Sequence, residues 1–204
     1  NINSNFINGL RVTDKNTINI VENELIEFNK EIIEALTKLN CKAKKITTKE
    51  NNIITVIQEN KDLGFVGTPT KINKELLTKT IKANEVPVVA PLGSNKDNQT
   101  FNINADTAAG SIAIELKARR LMIISDVEGV LDSEKKLIPE INSKKTNELI
   151  NQNIISGGMI PKINNCLDVA SNGVKGVVII DGRKNHSLLF ELLSDKGSGT
   201  LIRE

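Results

Sequence analysis

Apolar positions in the first part of the chain recur at helical spacing. Ile18, Ile20, Val21, Leu25 and Ile26 are followed by Ile32, Ile33, Leu36 and Leu39, which predicts one bent helix or two helices ending near Asn40. Thr13 stands where such a helix would be capped. Ahead of it, residues 6–12 form a short apolar run broken at Gly9. Further on the period shortens. Residues 53–57 read as a strand and 63–67 as a second one, close-packed at its glycines, the two making a hairpin. Asn73 is a candidate cap for a helix carrying Leu76, Leu77 and Ile81.

From Val86 onward, short apolar runs alternate with helical patterns. Strands are expected at 86–93, 121–124, 177–180 and 201–202. Helices are expected from Ala105 to Arg119, over 144–152, from the turn at Pro161 to Gly173, and over 187–193. The unbroken apolar runs at 121–124 and 177–180 suit strands buried on both faces. This alternation predicts an α/β fold: an open, mostly parallel sheet with helices on both faces, an αβα sandwich.

Polar residues at strand ends and helix starts carry the candidate chemistry. Asn104 suits an N-cap, and Asp106 falls in the first turn of the helix it opens, where the helix dipole favours a carboxylate. Asn102 and Asp106 then share a polar mouth at the edge where open α/β sheets bind ligands. A second cluster, Asp126-Val127-Glu128-Gly129, follows a strand; Asp126 serves there either as a ligand or as a turn former. The third is Ser156-Gly157-Gly158-Met159-Ile160-Pro161-Lys162. Glycines before a helix expose N–H groups to an anion, and Lys162 lies one turn in. The same residues also suit an ordinary glycine-rich turn with a solvated lysine, and the GxxxxGK[ST] spacing is absent. Taken singly, Arg11 is one more surface base and His186 a helix-start polar residue.

Composition removes several alternatives. Lys and Arg number 27 against 25 Asp and Glu, a net charge of +2, which makes no electrostatic case for nucleic acid or an anionic membrane. Aromatics are 2% of residues with no Trp or Tyr, which disfavours base-stacking platforms. Cys41 and Cys166 lie far apart without CxxC spacing, which suits a reducing cytoplasm. One histidine among 204 residues argues against a His-based metal site, and no metal ligands are expected. No apolar run approaches membrane-spanning length.

Together these stretches resemble the acetylglutamate kinases of the amino-acid kinase superfamily. The resemblance rests on Asn8-Gly9-Leu10-Arg11-Val12-Thr13-Asp14, Leu63-Gly64-Phe65-Val66-Gly67 and Pro87-Val88-Val89-Ala90-Pro91-Leu92-Gly93. It continues through Asn102-Ile103-Asn104-Ala105-Asp106-Thr107-Ala108-Ala109, Ser125-Asp126-Val127-Glu128-Gly129-Val130-Leu131-Asp132, Ile155 to Lys162, and Asp181-Gly182-Arg183. It implies transfer of the ATP γ-phosphoryl to the side-chain carboxylate of N-acetyl-L-glutamate in arginine biosynthesis, with Mg²⁺ bridging the ATP phosphates. A carboxylate nucleophile is ionised at neutral pH and needs no general base, so alignment and charge neutralisation carry the rate.

By the same resemblance, Lys162 stabilises the transferring phosphoryl and Asp106 orients the catalytic lysines, while Arg11 and Asn102 hold acetylglutamate. Asp126, Val127, Glu128, Gly129, Val130 and Leu131, with Ile154, Ile155, Ser156, Gly157 and Gly158, line the nucleotide site. The implied lobes are residues 1–94 for acetylglutamate and 95–204 for ATP. The run from His186 to Thr200 is similar to the segment that marks arginine-inhibited members, which implies an arginine site near His186 and Glu204. A homo-oligomer, a dimer or a hexamer of dimers, is implied too. The family opens with a strand ending in a lysine and a Gly-Gly loop, and this chain starts after them, so an N-terminally incomplete and poorly active piece is expected. The alternatives are another kinase of the superfamily, or a non-catalytic module binding nucleotide or arginine.

Overall fold

In the computed structural model, which describes residues 5–7, 10–195 and 197–204, the first apolar run pairs with itself: β1 (Phe6–Ile7) lies antiparallel to β2 (Leu10–Arg11). Asn8 and Gly9, where the break is expected, lie outside the described residues. The helical periodicity that follows is one helix, α1 (Lys15–Lys38). Its cap is Asp14, not Thr13: an Asp14 carboxylate oxygen accepts from the Thr17 N–H at 2.7 Å. Thr13 is committed elsewhere. Its N–H donates to the Leu63 carbonyl, its carbonyl accepts from the Phe65 N–H, and its hydroxyl donates to the Arg11 carbonyl.

The chain continues through β3 (Ala43–Ile46), β4 (Ile54–Gln58), β5 (Gly67–Ile72), α2 (Lys74–Lys82), β6 (Val86–Val89), β7 (Leu92–Ser94) and β8 (Thr100–Asn102). The hairpin forms, but its second strand begins where the sequence places its end. Leu63 closes a 3₁₀ turn and Gly64 takes φ +68°, so the chain extends only from Gly67. β3 pairs with β6 in parallel. A second sheet runs β5-β4-β7-β8, its central pair β4/β7 parallel and its outer pairs antiparallel. Asn73 caps α2 as expected, accepting from the Leu76 N–H at 3.2 Å.

α3 (Ala105–Glu115) stops before Arg119 because Lys117 turns left-handed at φ +51°. Then come β9 (Leu121–Ser125), β10 (Glu140–Ile141), α4 (Ser143–Asn151), α5 (Met159–Ser171), β11 (Val177–Asp181), α6 (Ser187–Leu193) and β12 (Gly199–Ile202). They build a sheet ordered β10-β12-β11-β9, with β9/β11 and β10/β12 parallel and β11/β12 antiparallel. β11, paired on both sides, is buried along its whole length. β9 ends the sheet and departs from the doubly buried expectation: Ile123 is buried but Ile124 is 59% exposed. α5 turns Ile163, Cys166, Val169 and Ala170 inward against Val177, Ile179 and Ile202. Pro161 fits its first turn, where a helix has no use for that N–H.

The α/β architecture expected from the alternation of runs is therefore present. The chain divides into two compact units, Asn1–Ile112 and Ala113–Glu204.

Candidate functional site

Within the first unit, backbone bonds gather three of the motif stretches. Residues 63–66 bridge to Thr13 on one side, and the Asn102 N–H donates to the Phe65 carbonyl at 2.9 Å on the other. Gly64 is required twice over: its φ is +68°, and a Cβ there would collide with the Thr13 carbonyl oxygen. Phe65 and Phe101 pack with ring centroids 5.7 Å apart. Asn102 closes β8, half-buried. Asn104 caps α3 as the sequence predicts, accepting from the Thr107 N–H at 3.1 Å. Asp106, also half-buried, stands in the first turn of α3. Arg11 is exposed on β2, its guanidinium 4.9 Å from the Phe6 ring centroid.

Within the second unit lies a cavity of about 430 Å³. Its walls are Asp126, Val127, Glu128, Gly129, Val130 and Leu131 together with Ile154, Ile155 and Ser156, joined by Asp132, Met159 and Arg183. Gly157 and Gly158 are not among the lining residues, although Ser156 and Met159 on either side are. Both glycines are exposed at the start of α5, and a Cβ on either would meet nothing within 4 Å. The space before this helix start is open, and Gly157 at φ +56° makes the turn into it. Lys162 is half-buried in the first turns of α5.

The cavity wall is held from β12. The Thr200 hydroxyl accepts from the Val130 N–H at 2.8 Å and donates to the Ile138 carbonyl at 2.7 Å. Gly129, at φ +136°, has no room for a side chain, since a Cβ would sit 2.6 Å from the Thr200 hydroxyl oxygen. Asp132 accepts from the Glu134 and Lys136 N–H groups and closes the loop. At the end of β11, Asp181 accepts from Arg183 three times: from Nε at 2.9 Å, from Nη2 at 3.0 Å and from the backbone N–H at 2.9 Å. Those bonds hold the buried Asp181 carboxyl down at about 2. Lys184 donates to Glu128 at 2.6 Å.

Thr200, Asp132 and Met159 stand in the sequence inside motif runs, with no role of their own attached. Arg183 and Asp181 were visible only as part of a motif, with no role attached. The detectable signal was an acid ending a buried strand with an arginine two residues on, the short loop a bidentate pair needs. His186 is an exposed, left-handed residue at the head of α6, and Glu204 is the exposed last residue. Among the described residues, no group of three or more His, Cys, Asp or Glu is placed to hold a metal ion. No helix among them is long and apolar enough to cross a membrane.

Residues 1–181 match the model of the amino acid kinase family. The chain is 87% identical over 204 residues to acetylglutamate kinase of Pelagibacter ubique (strain HTCC1062), covering all of this chain and 71% of that relative. It is 44% identical over 203 residues to acetylglutamate kinase of Ruegeria pomeroyi, covering 99% of this chain and again 71% of the relative. Among solved structures, smu.665 from Streptococcus mutans UA159 superposes with a TM-score of 0.85 at 31% identity, covering 99% of this chain and 78% of that one.

Proposed function

The chain belongs to the amino acid kinase family, and on that premise we propose how its two units divide the work of a kinase acting on N-acetylglutamate in arginine biosynthesis. The ATP γ-phosphoryl passes to the side-chain carboxylate of N-acetyl-L-glutamate and gives N-acetyl-L-glutamyl 5-phosphate. Mg²⁺ would come with the nucleotide and supply positive charge to its phosphates, without a protein cage of its own among the described residues.

The observation that supports the nucleotide assignment is the cavity of the second unit. Residues 126–131 and 154–156, distant in sequence, wall one space whose edge reaches the open start of α5. The apolar members suit a nucleoside, and the helix start with Lys162 suits its phosphates. Lys162 neutralises charge that develops on the transferring group. Asp106 acts as an orienting carboxylate, and Arg11 with Asn102 binds acetylglutamate. The proposal extends to arginine as an effector bound near His186 and Glu204, and to a cytoplasmic homo-oligomer.

The test is ATP-dependent formation of acyl phosphate, trapped by hydroxylamine as the hydroxamate. Lys162→Met is expected to lower kcat about a hundredfold with the KM for acetylglutamate unchanged. An unchanged kcat would remove Lys162 from the reaction. Hydroxamate formed equally well from glutamate, aspartate or carbamate would favour another kinase of the family.

A further inference from the structure

The cavity carries one cationic side chain among its described lining residues, Arg183, beside three carboxylates, those of Asp126, Glu128 and Asp132. No Phe is among those residues, and the chain has no Trp or Tyr. A purine base in this space therefore lacks an aromatic partner. Arg183 is the flat alternative, since a guanidinium is planar and stacks on aromatic rings.

Its geometry is that of a built wall. The Asp181 side chain is 3% exposed and takes Nε, Nη2 and the backbone N–H of Arg183 at 2.9 to 3.0 Å. Gly182 between them is pinned, its N–H donating to the Ser125 carbonyl at 2.8 Å and its Cα side closed by Ile124. The Arg183 side chain is 64% exposed even so. Two of its five guanidinium N–H groups, one on Nε and one on Nη2, are held by Asp181, which fixes the plane of the group and turns its face into a surface it can offer a ligand. The phosphates have their own provision at the Gly157-Gly158 start of α5.

We infer that Arg183 is the stacking surface for the nucleotide base, with Asp181 as its positioning residue, an inference that rests on reading this cavity as the nucleotide site. Arg183 acts on affinity and not on the phosphoryl step.

The experiment is calorimetric binding of adenosine, ADP and ATP to the full chain and its variants. Arg183→Ala is expected to weaken all three by the same factor, about tenfold. Arg183→Lys, which keeps the charge and loses the plane, is expected to lose nearly as much. Asp181→Asn weakens binding alone but adds nothing in the Arg183→Ala background, an outcome a purely structural Asp181 would not produce. Wild-type affinity in Arg183→Lys, a loss that grows with phosphate number, or unchanged binding in Arg183→Ala would each overturn the inference while leaving the nucleotide cavity standing. Failure of the unsubstituted chain to bind any adenine nucleotide would instead overturn the cavity assignment, and this inference with it.

Discussion

The two compact units hold their motif-bearing segments by different means. In the first, α1 is stitched to the rest through buried polar groups. Glu22, on the inner face of α1, accepts from the Thr48 hydroxyl at 2.6 Å and the Thr100 hydroxyl at 2.8 Å, and pairs with Lys49 at 3.2 Å. One turn pair further on, the Asn29 amide donates to the Val88 carbonyl at 2.8 Å. In the second unit the sheet and α5 meet in a continuous apolar core, and the cavity loop hangs from it by the Thr200 hydroxyl. A buried carboxylate is tolerated only while its donors remain, whereas an apolar core depends on filled volume. The helix stitch of the first unit is therefore sensitive to lost partners and the core of the second to lost volume, while acid reaches both, through Glu22 in the first and Asp181 in the second.

The largest effect is expected from the core of the second unit. Ile179→Ala at a fully buried position should destabilise by about 4 kcal/mol, through lost transfer energy plus the cavity left behind. Denaturant titration measures the total, and amide exchange shows where protection falls. Loss spread evenly over residues 1–112 and 113–204 would erase the distinction between the units.

A smaller effect is expected at Glu22. Glu22→Leu leaves the Thr48 and Thr100 hydroxyls without their acceptor and should destabilise by about 2 kcal/mol. Here exchange should quicken in α1 and around Thr100. A neutral result would mean that apolar packing, not the polar stitch, holds α1 in place.

The smallest expected effect is the pH response, and its sign is set by lowered carboxyls, of which Glu22 and Asp181 are the buried ones. Burial alone raises the Glu22 carboxyl, but the hydroxyls of Thr48 and Thr100 and the Lys49 ammonium bring it below its ordinary 4.5. Asp181 goes from 3.8 to about 2 through Arg183. A carboxyl depressed by folding lends stability that is complete above its unfolded value and lost as pH falls through its folded one. Stability should thus decline with acid below the ordinary carboxyl range, with the Asp181 share vanishing near pH 2. Acid unfolding followed by circular dichroism checks this: Glu22→Gln should flatten the upper part of the decline and Asp181→Asn the lower part. Identical acid curves for both variants and the parent would refute the assignment.

Local sequence settled what local physics governs. Asn73 and Asn104 cap their helices because an amide oxygen needs an N–H only three residues away. The spacing of Ile163, Cys166, Val169 and Ala170 fixed which face of α5 turns inward. The motif runs at 126–131 and 154–156 were legible as runs, and their meeting around one cavity follows from the strand and helix they terminate. Other features depended on partners far along the chain. Thr13 loses the cap to Asp14 because residues 63–65 claim its backbone. α6 inverts the usual pattern: it buries Ser187 and Glu191, the latter accepting from Arg120 and the Ser198 N–H, and exposes Leu189, Phe190, Leu192 and Leu193. Glu22 meets Thr100 across 78 residues and Thr200 meets Val130 across 70. Hydrogen bonds over such separations leave no period in a sequence, since only the folded chain brings donor and acceptor within 3 Å of each other.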